Sequence, residues 1–343
     1  MIATCPRIKN ELMKTTMILF AGCLLGYFAK AQTHHFSQFY STPLLINPAA
    51  TGLTAGPYRV AANYRSQWSA GGSPYTTFTF SGDAHALTSK IAEGNTLGLG
   101  FAFVNDKTMD GAVQTNNFAV SAGYHIALDQ DEIQTIGLGF QGTYNERRID
   151  FSRLEFESQF GNGVFDPSLP IGEELQNGKK HYLDVNVGGM YSYTLEDRSL
   201  FAGVAMYNIL KKQDNYLTEQ FKTPRLFSVI AGGDIDVGFN NSFYFSGNYR
   251  KQGNDNELTL GMAYGFFLDQ EGYSVFKLGL WHRLKDALIP YAGLTYKGWQ
   301  VGCSFDCTVS GAKTTSQIKN TFEISVMYLA PDLTQLRRFI PWY

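Results

Sequence analysis

LGLGFAF, residues 97–103, decides how this chain folds. Leu97, Leu99, Phe101 and Phe103 take every second position, with Gly98, Gly100 and Ala102 between them. A period of two gathers the four large residues on one face of an extended strand, whereas a helix would scatter them around its axis. The smallest side chains then share the other face, where something must pack closely or the strand must bend.

The same period runs through most of the chain. Tyr58, Val60, Ala62 and Tyr64 oppose Arg59, Asn63 and Arg65; Phe243, Phe245 and Tyr249 oppose Tyr244, Ser246, Asn248 and Arg250. About fourteen such segments follow one another, near 57–68, 74–87, 96–106, 113–129, 133–149, 180–195, 198–211, 222–237, 241–252, 256–268, 272–284, 287–297, 298–308 and 318–330. Many are about 11 to 16 residues long, against about 5 or 6 for strands of soluble proteins. Tilted strands of about 9–11 residues or more cross a bilayer. Joins after even-numbered segments are mostly tight, such as 129–132 and 196–197, while odd-numbered ones include the long 148–179, 211–222 and 308–317. Outer-membrane barrels show that asymmetry, with short turns inside and longer loops outside. The expected fold is therefore all-β: a transmembrane antiparallel β-barrel of about 14 strands with an N-terminal plug-like segment, closed because an open sheet would leave edges unpaired.

The N-terminus supplies an address. Arg7, Lys9 and Lys14 precede the apolar run Met17–Phe28, and Ala29-Lys30-Ala31 follows as a small-residue cleavage site. Residues 1–31 read as an export signal cut between Ala31 and Gln32, its apolar core too short for a comfortable membrane span. The expected division is then 32–56 as a segment at the periplasmic barrel mouth, 57–330 as the barrel and 331–343 as a periplasmic tail. An even strand count puts both termini on the periplasmic side.

Composition and motifs exclude several classes. Charged residues are 17%, aromatics 15%, and the net charge of −2 offers no basic field for nucleic acid. Without the signal only Cys303 and Cys307 remain, and four residues along a strand set them about 13 Å apart, beyond disulfide reach. They read as small apolar residues on one strand face. His34-His35 is expected to be an exposed pair rather than a metal site. The carboxylates Asp150, Glu155, Glu157, Asp166, Glu173 and Glu174 lack the rhythm of a calcium loop and read as a solvated outer loop. The chain presents no Gly-x-Ser-x-Gly or His-Glu-x-x-His, so neither an enzyme nor a cofactor is expected. Arg59, Arg65 and Arg250 should line a polar interior, paired with loop carboxylates or facing a bound peptide.

HHFSQFYSTPLLINPAATG, residues 34–52, stands just before the first strand. Pro43 and Asn47-Pro48 set bends, and Leu44, Leu45 and Ile46 form an apolar face that needs a partner. With Phe36, Phe39 and Tyr40 they are the candidate contacts of a plug packed into or under the barrel mouth, or of a cargo.

Residues 35–52, followed by YRVAANYRSQWSAGGSPYTTFTFSGD (58–83), resemble the opening of the PorP/SprF family, outer-membrane proteins of the type IX secretion system of Bacteroidetes. The likeness continues through LGLGFAFVNDKTMDG (97–111), LGFQGTYNERRIDFSRLEFESQF (138–160), FDPSLPIGEEL (165–175), YLDVNVGGMYSY (182–193), GNYRKQG (247–253), GLWHRLKDALIPYAGLTYKGWQVGCSFD (279–306) and TFEISVMY (321–328). Family members commonly carry Leu-Asn-Pro-Ala-Leu-Thr-Gly where this chain has residues 46–52 as INPAATG, and many end in Cys-Pro-Arg-Phe where this chain ends RRFIPWY. The resemblance implies a non-enzymatic part of a secretion and gliding-motility machine. Such a part assists export or surface attachment of a large adhesin-like protein by binding its C-terminal segment, beside periplasmic and outer-membrane components of the machine and outer-membrane lipid. The alternative expectation is a channel for small or hydrophobic solutes with an N-terminal plug.

Overall fold

A computed structural model describes residues 35–67, 74–161, 164–166, 168–170, 178–210, 213–214, 221–238, 241–269, 274–309 and 321–331. The signal segment 1–31, with its cleavage between Ala31 and Gln32, lies outside these residues, as do His34, Glu173, Glu174 and the tail from 332 onward.

Fourteen antiparallel strands close into one barrel. They are β1 (Tyr58–Gln67), β2 (Tyr75–Ala86), β3 (Thr96–Thr108), β4 (Val113–Ala127), β5 (Gln134–Ile149), β6 (Lys179–Thr194) and β7 (Arg198–Tyr207). The second half comprises β8 (Leu226–Asp236), β9 (Asn241–Gln252), β10 (Asp255–Phe267), β11 (Ser274–Arg283), β12 (Ala287–Tyr296), β13 (Trp299–Thr308) and β14 (Thr321–Leu329). Each strand pairs with its sequence neighbours, and β1 closes the ring against β14 in a register that sets Tyr64 opposite Ile324. The strand count and order agree with the alternation in the sequence. The largest difference in bounds falls between β7 and β8, which stop and start at Tyr207 and Leu226. Asn208 there turns with φ 58°, and Pro224 lacks the N–H a ladder needs, so residues 213–214 and 221–222 pair in a separate two-residue ribbon.

The alternation sorts the two faces. Val120, Leu138 and Leu183 point outward with 63–68% of their surface exposed, within a belt of outward apolar residues that suits a lipid environment. The opposite face carries Arg59, Asn63, Asp83, Asp184, Asn186, Asp234, Asp306 and Glu323, all buried. Cys303 and Cys307 fall on the outward face of β13 as free thiols.

Burial of the lumen side is explained by the N-terminal segment. Residues 36–44 and 46–54 are all buried, folded as three short turns: Phe39–Ser41, Pro43–Ile46 and Pro48–Ala50. Pro43 and Pro48 open two of these turns, where a missing N–H costs nothing and φ is already helical. Short helical turns satisfy backbone groups locally, as a chain enclosed away from water requires.

The path of this segment departs from the expectation of a periplasmic mouth. Thr51 and Gly52 meet Gly98 and Gly123, on the side of the barrel opposite the long loops. His35, Ser37 and Gln38 instead meet Arg65, Arg283, Asp306 and Glu323, on the side of the barrel that carries the long loops. The segment therefore runs the length of the lumen. Its first described residue lies at the end opposite the start of β1, where the even strand count alone would not have placed it.

Candidate functional site

The site is the contact between residues 35–56 and the barrel wall. At the short-turn end it is built on shape. Asn47 is fully buried; its Nδ2 donates to the carbonyls of Gly189 and Val204 at 3.1 and 3.2 Å, and its Oδ1 accepts from the Ala49 N–H at 2.9 Å. This reach is possible because Gly188 and Gly203 face it: a Cβ on Gly188 would overlap Asn47 Oδ1. Pro48 and Ala49 press likewise on Gly139. Gly52 sits at φ +77°, a conformation that favours glycine, with its Cα over Gly98. The small residues that alternate along β3, β5, β6 and β7 thus form a slot for backbone.

Polar groups fix this end further. Arg59 donates to both carboxylate oxygens of Asp83, at 3.0 and 2.8 Å, and to the Ala50 carbonyl at 3.0 Å. The same Asp83 accepts from the Gly52 N–H at 2.7 Å. Thr51 Oγ1 donates to Ser121 Oγ at 2.8 Å, and its carbonyl lies 2.9 Å from His125 Nε2. Gln141 donates to the Leu44 carbonyl at 3.0 Å and is held in turn by Asn186 at 2.8 Å. Backbone groups that the three turns leave over are thereby met by wall side chains.

The middle is apolar. Tyr40 lies 5.0 Å from the Trp281 ring and 5.6 Å edge-on from Tyr291, with Phe39 beside it at 5.5 Å. Phe39, Tyr40 and Ile46 join Phe201, Ile230 and Ile289 in one buried cluster, while Leu44, against Ala102, Ala119 and Leu45, forms another. Phe36 is buried as well.

The long-loop end is built on charge. Both oxygens of Glu323 accept backbone N–H bonds, from Ser37 at 2.8 Å and Gln38 at 3.0 Å, while Arg65 Nε stands 3.2 Å away. Arg283 donates to Ser37 Oγ at 2.6 Å and pairs with Asp306, which also accepts from Ser37 Oγ at 2.7 Å. Gln38 reaches Ser304 at 3.0 Å and accepts from Ser325 at 2.7 Å. Arg65 also donates to the His35 carbonyl, and the His35 ring lies 3.6 Å from Glu257. His35 is thus half-buried in an ionic cluster and not part of an exposed pair. Among the described residues no group of metal-ligating side chains forms.

The structure brings Phe36, Phe39, Tyr40, Pro43, Leu44, Leu45, Ile46, Asn47, Pro48, Arg59 and Arg65 into this one contact zone. Arg250 faces the lumen on β9, with Ser228 and Glu257 as register partners. Arg59 and Arg65 pair with carboxylates on the strands, Asp83, Asp306 and Glu323, where loop carboxylates were expected. Asp83, Arg283, Asp306, His125 and Gln38 were missed; the lumen positions of the first four were available from strand parity, but their partners were not, and Gln38 lies outside any strand. The outer loop stays solvated where described: Asp150 and Asp166 are held below the usual carboxylate range by hydrogen bonds from Ser152 and Ser168.

A closed 14-strand antiparallel barrel with an apolar belt and a polar, chain-filled lumen defines the class of outer-membrane β-barrel proteins. Solved barrels share that fold. A Pseudomonas aeruginosa FadL homologue aligns with TM-score 0.50 at 8% identity, over 84% of this chain and 94% of that one. The P. putida toluene transporter TodX gives 0.49 at 9% over 84% and 94%, and the Ralstonia pickettii toluene transporter TbuX gives 0.48 at 9% over 84% and 94%. At such identities the likeness is one of fold alone. Pairwise comparison with curated proteins gives no match. The chain belongs to the PorP/SprF family of type IX secretion system membrane proteins, which matches residues 28–328.

Proposed function

We propose that this barrel holds the C-terminal segment of a large adhesin-like protein at its long-loop end during export or surface attachment, while residues 35–56 keep the lumen shut. The observation that carries this reading is the burial of residues 36–44 and 46–54 along the lumen, anchored at both ends. A barrel so filled suits a binding platform better than a pore. The long loops face outward in this reading, and the tail 331–343 meets periplasmic and other components of the machine.

A cargo strand needs a free edge to pair with. The closed wall has none, and the lumen segment is folded in turns. The loop beyond β5 offers one instead: Phe160–Gly161 pairs with Val164–Phe165, with Phe160 and Val164 exposed. Phe160→Ser with Val164→Ser should leave a heat-modifiable barrel and reduce adhesin display on whole cells. Normal display in that double variant would refute the cargo site. Steady open conductance of the wild-type protein in planar bilayers would overturn the sealed platform and favour a small-solute channel.

A further inference from the structure

The outward wall carries a groove of about 480 Å³ across β8 to β12. Register explains it. Ala231, Gly247, Leu260, His282 and Leu288 stand opposite one another on five adjacent strands. Ala231 and Gly247 are too small to fill their places and make the floor. Leu260 and Leu288 rise beside them, and Phe245, Met262 and Leu280 form the next row toward the short-turn end. Behind the floor the wall is sealed, because the Trp281 indole lies against Gly261 and Gly279 and donates to Ser246 at 3.1 Å. The groove is therefore a seat on the membrane side and not a passage to the lumen.

Its upper edge is polar. His282 points outward between Leu260 and Leu288, exposed, and its ring makes no hydrogen bond or ion pair among the described residues. An unpaired imidazole among lipid-facing leucines asks for a polar lipid group. Lys285 follows in the β11–β12 turn, and Lys251 points outward on β9, both exposed. Asp286, beside Lys285 in the turn, pairs with Arg283 at 3.0 Å. The hairpin ends three residues past His282, so this edge lies at the boundary of the apolar belt on the long-loop side.

We propose that the groove binds the phosphorylated glycolipid of the outer leaflet, one acyl chain lying over Ala231 and Gly247 and a phosphate between His282 and Lys285. The choice of leaflet rests on the orientation given above; the groove and its cations do not. Native mass spectrometry of the full-length protein, titrated with lipid A, dephosphorylated lipid A or phosphatidylglycerol, tests it. Lipid A should be retained about tenfold more strongly than either comparison lipid, a difference worth about 1.4 kcal/mol. Ala231→Phe should reduce retention of every lipid. His282→Leu with Lys285→Ala should erase only the preference for phosphate. Val120→Phe, on a distant part of the belt, should change nothing, and heat-modifiability on gels reports folding of each variant. Undiminished retention by Ala231→Phe overturns the site. Phosphatidylglycerol binding as well as lipid A overturns the outer-leaflet assignment even where Ala231→Phe weakens both. A photo-crosslinker at Ala231 that captures protein instead of lipid overturns the ligand class.

Discussion

Residues 47–52 and residues 35–38 both lie against the lumen wall, yet they are held differently. The first group is fitted into places that glycine leaves empty, with Asn47 against Gly188 and Gly203 and Gly52 against Gly98. The second is tied by carboxylates and arginines, Glu323 and Arg65 on one side and Asp306 and Arg283 on the other. Close packing has no intermediate: a methylene either fits or displaces its neighbour. An ionic cluster can lose one partner and keep others. The short-turn end is thus the rigid anchor, and the long-loop end is the one a ligand or a change of charge could release.

Substitutions can break or sharpen that contrast. The largest effect is expected from Gly188→Leu, whose side chain would occupy the place of Asn47. The heat-modifiable folded form should fail to accumulate, and a variant as abundant and heat-modifiable as the wild type would sink the steric anchor. Asp83→Asn should come next. It leaves the Arg59 guanidinium buried without a full counter-charge and leaves one acceptor oxygen to serve both Arg59 and the Gly52 N–H, at a cost of about 3–5 kcal/mol in urea unfolding. A loss as small as an exposed pair gives would show that this end is not charge-assisted. Glu323→Gln should do least to stability, about 1–3 kcal/mol, since a neutral amide still accepts one N–H bond. Its signature is local: with Cys303 and Cys307 replaced by Ala, a His35→Cys thiol should react faster with maleimide in Glu323→Gln than in its absence. Equal rates would make the long-loop end as rigid as the other.

How much of this was legible depends on the range of the interaction. Strand positions could be read because alternation is local: LGLGFAF shows its two faces without any knowledge of neighbours, and β3 indeed turns Leu99 and Phe101 out and Gly98 and Ala102 in. The same parity put Arg59 and Arg65 in the lumen. It could not say that Arg59 meets Asp83 from β2 or that Arg65 meets Glu323 from β14, because those pairs arise from registers set by every turn between them. The glycines of β5, β6 and β7 announced close packing, but nothing in them named Asn47 as the side chain they admit.

The sequence by itself determined the membrane-spanning barrel, its strand number and its two faces, since each follows from a period of two and from loop lengths written in the chain. Only the tertiary structure decided where the N-terminal segment goes. Its turns are too short to carry a periodic signal, and its apolar face could have been buried at the mouth or anywhere along the lumen. Gly98, Gly139, Gly188 and Gly203 from four separate strands had to be brought around one cavity before a path existed, and that path ends in the ionic cluster at the far end.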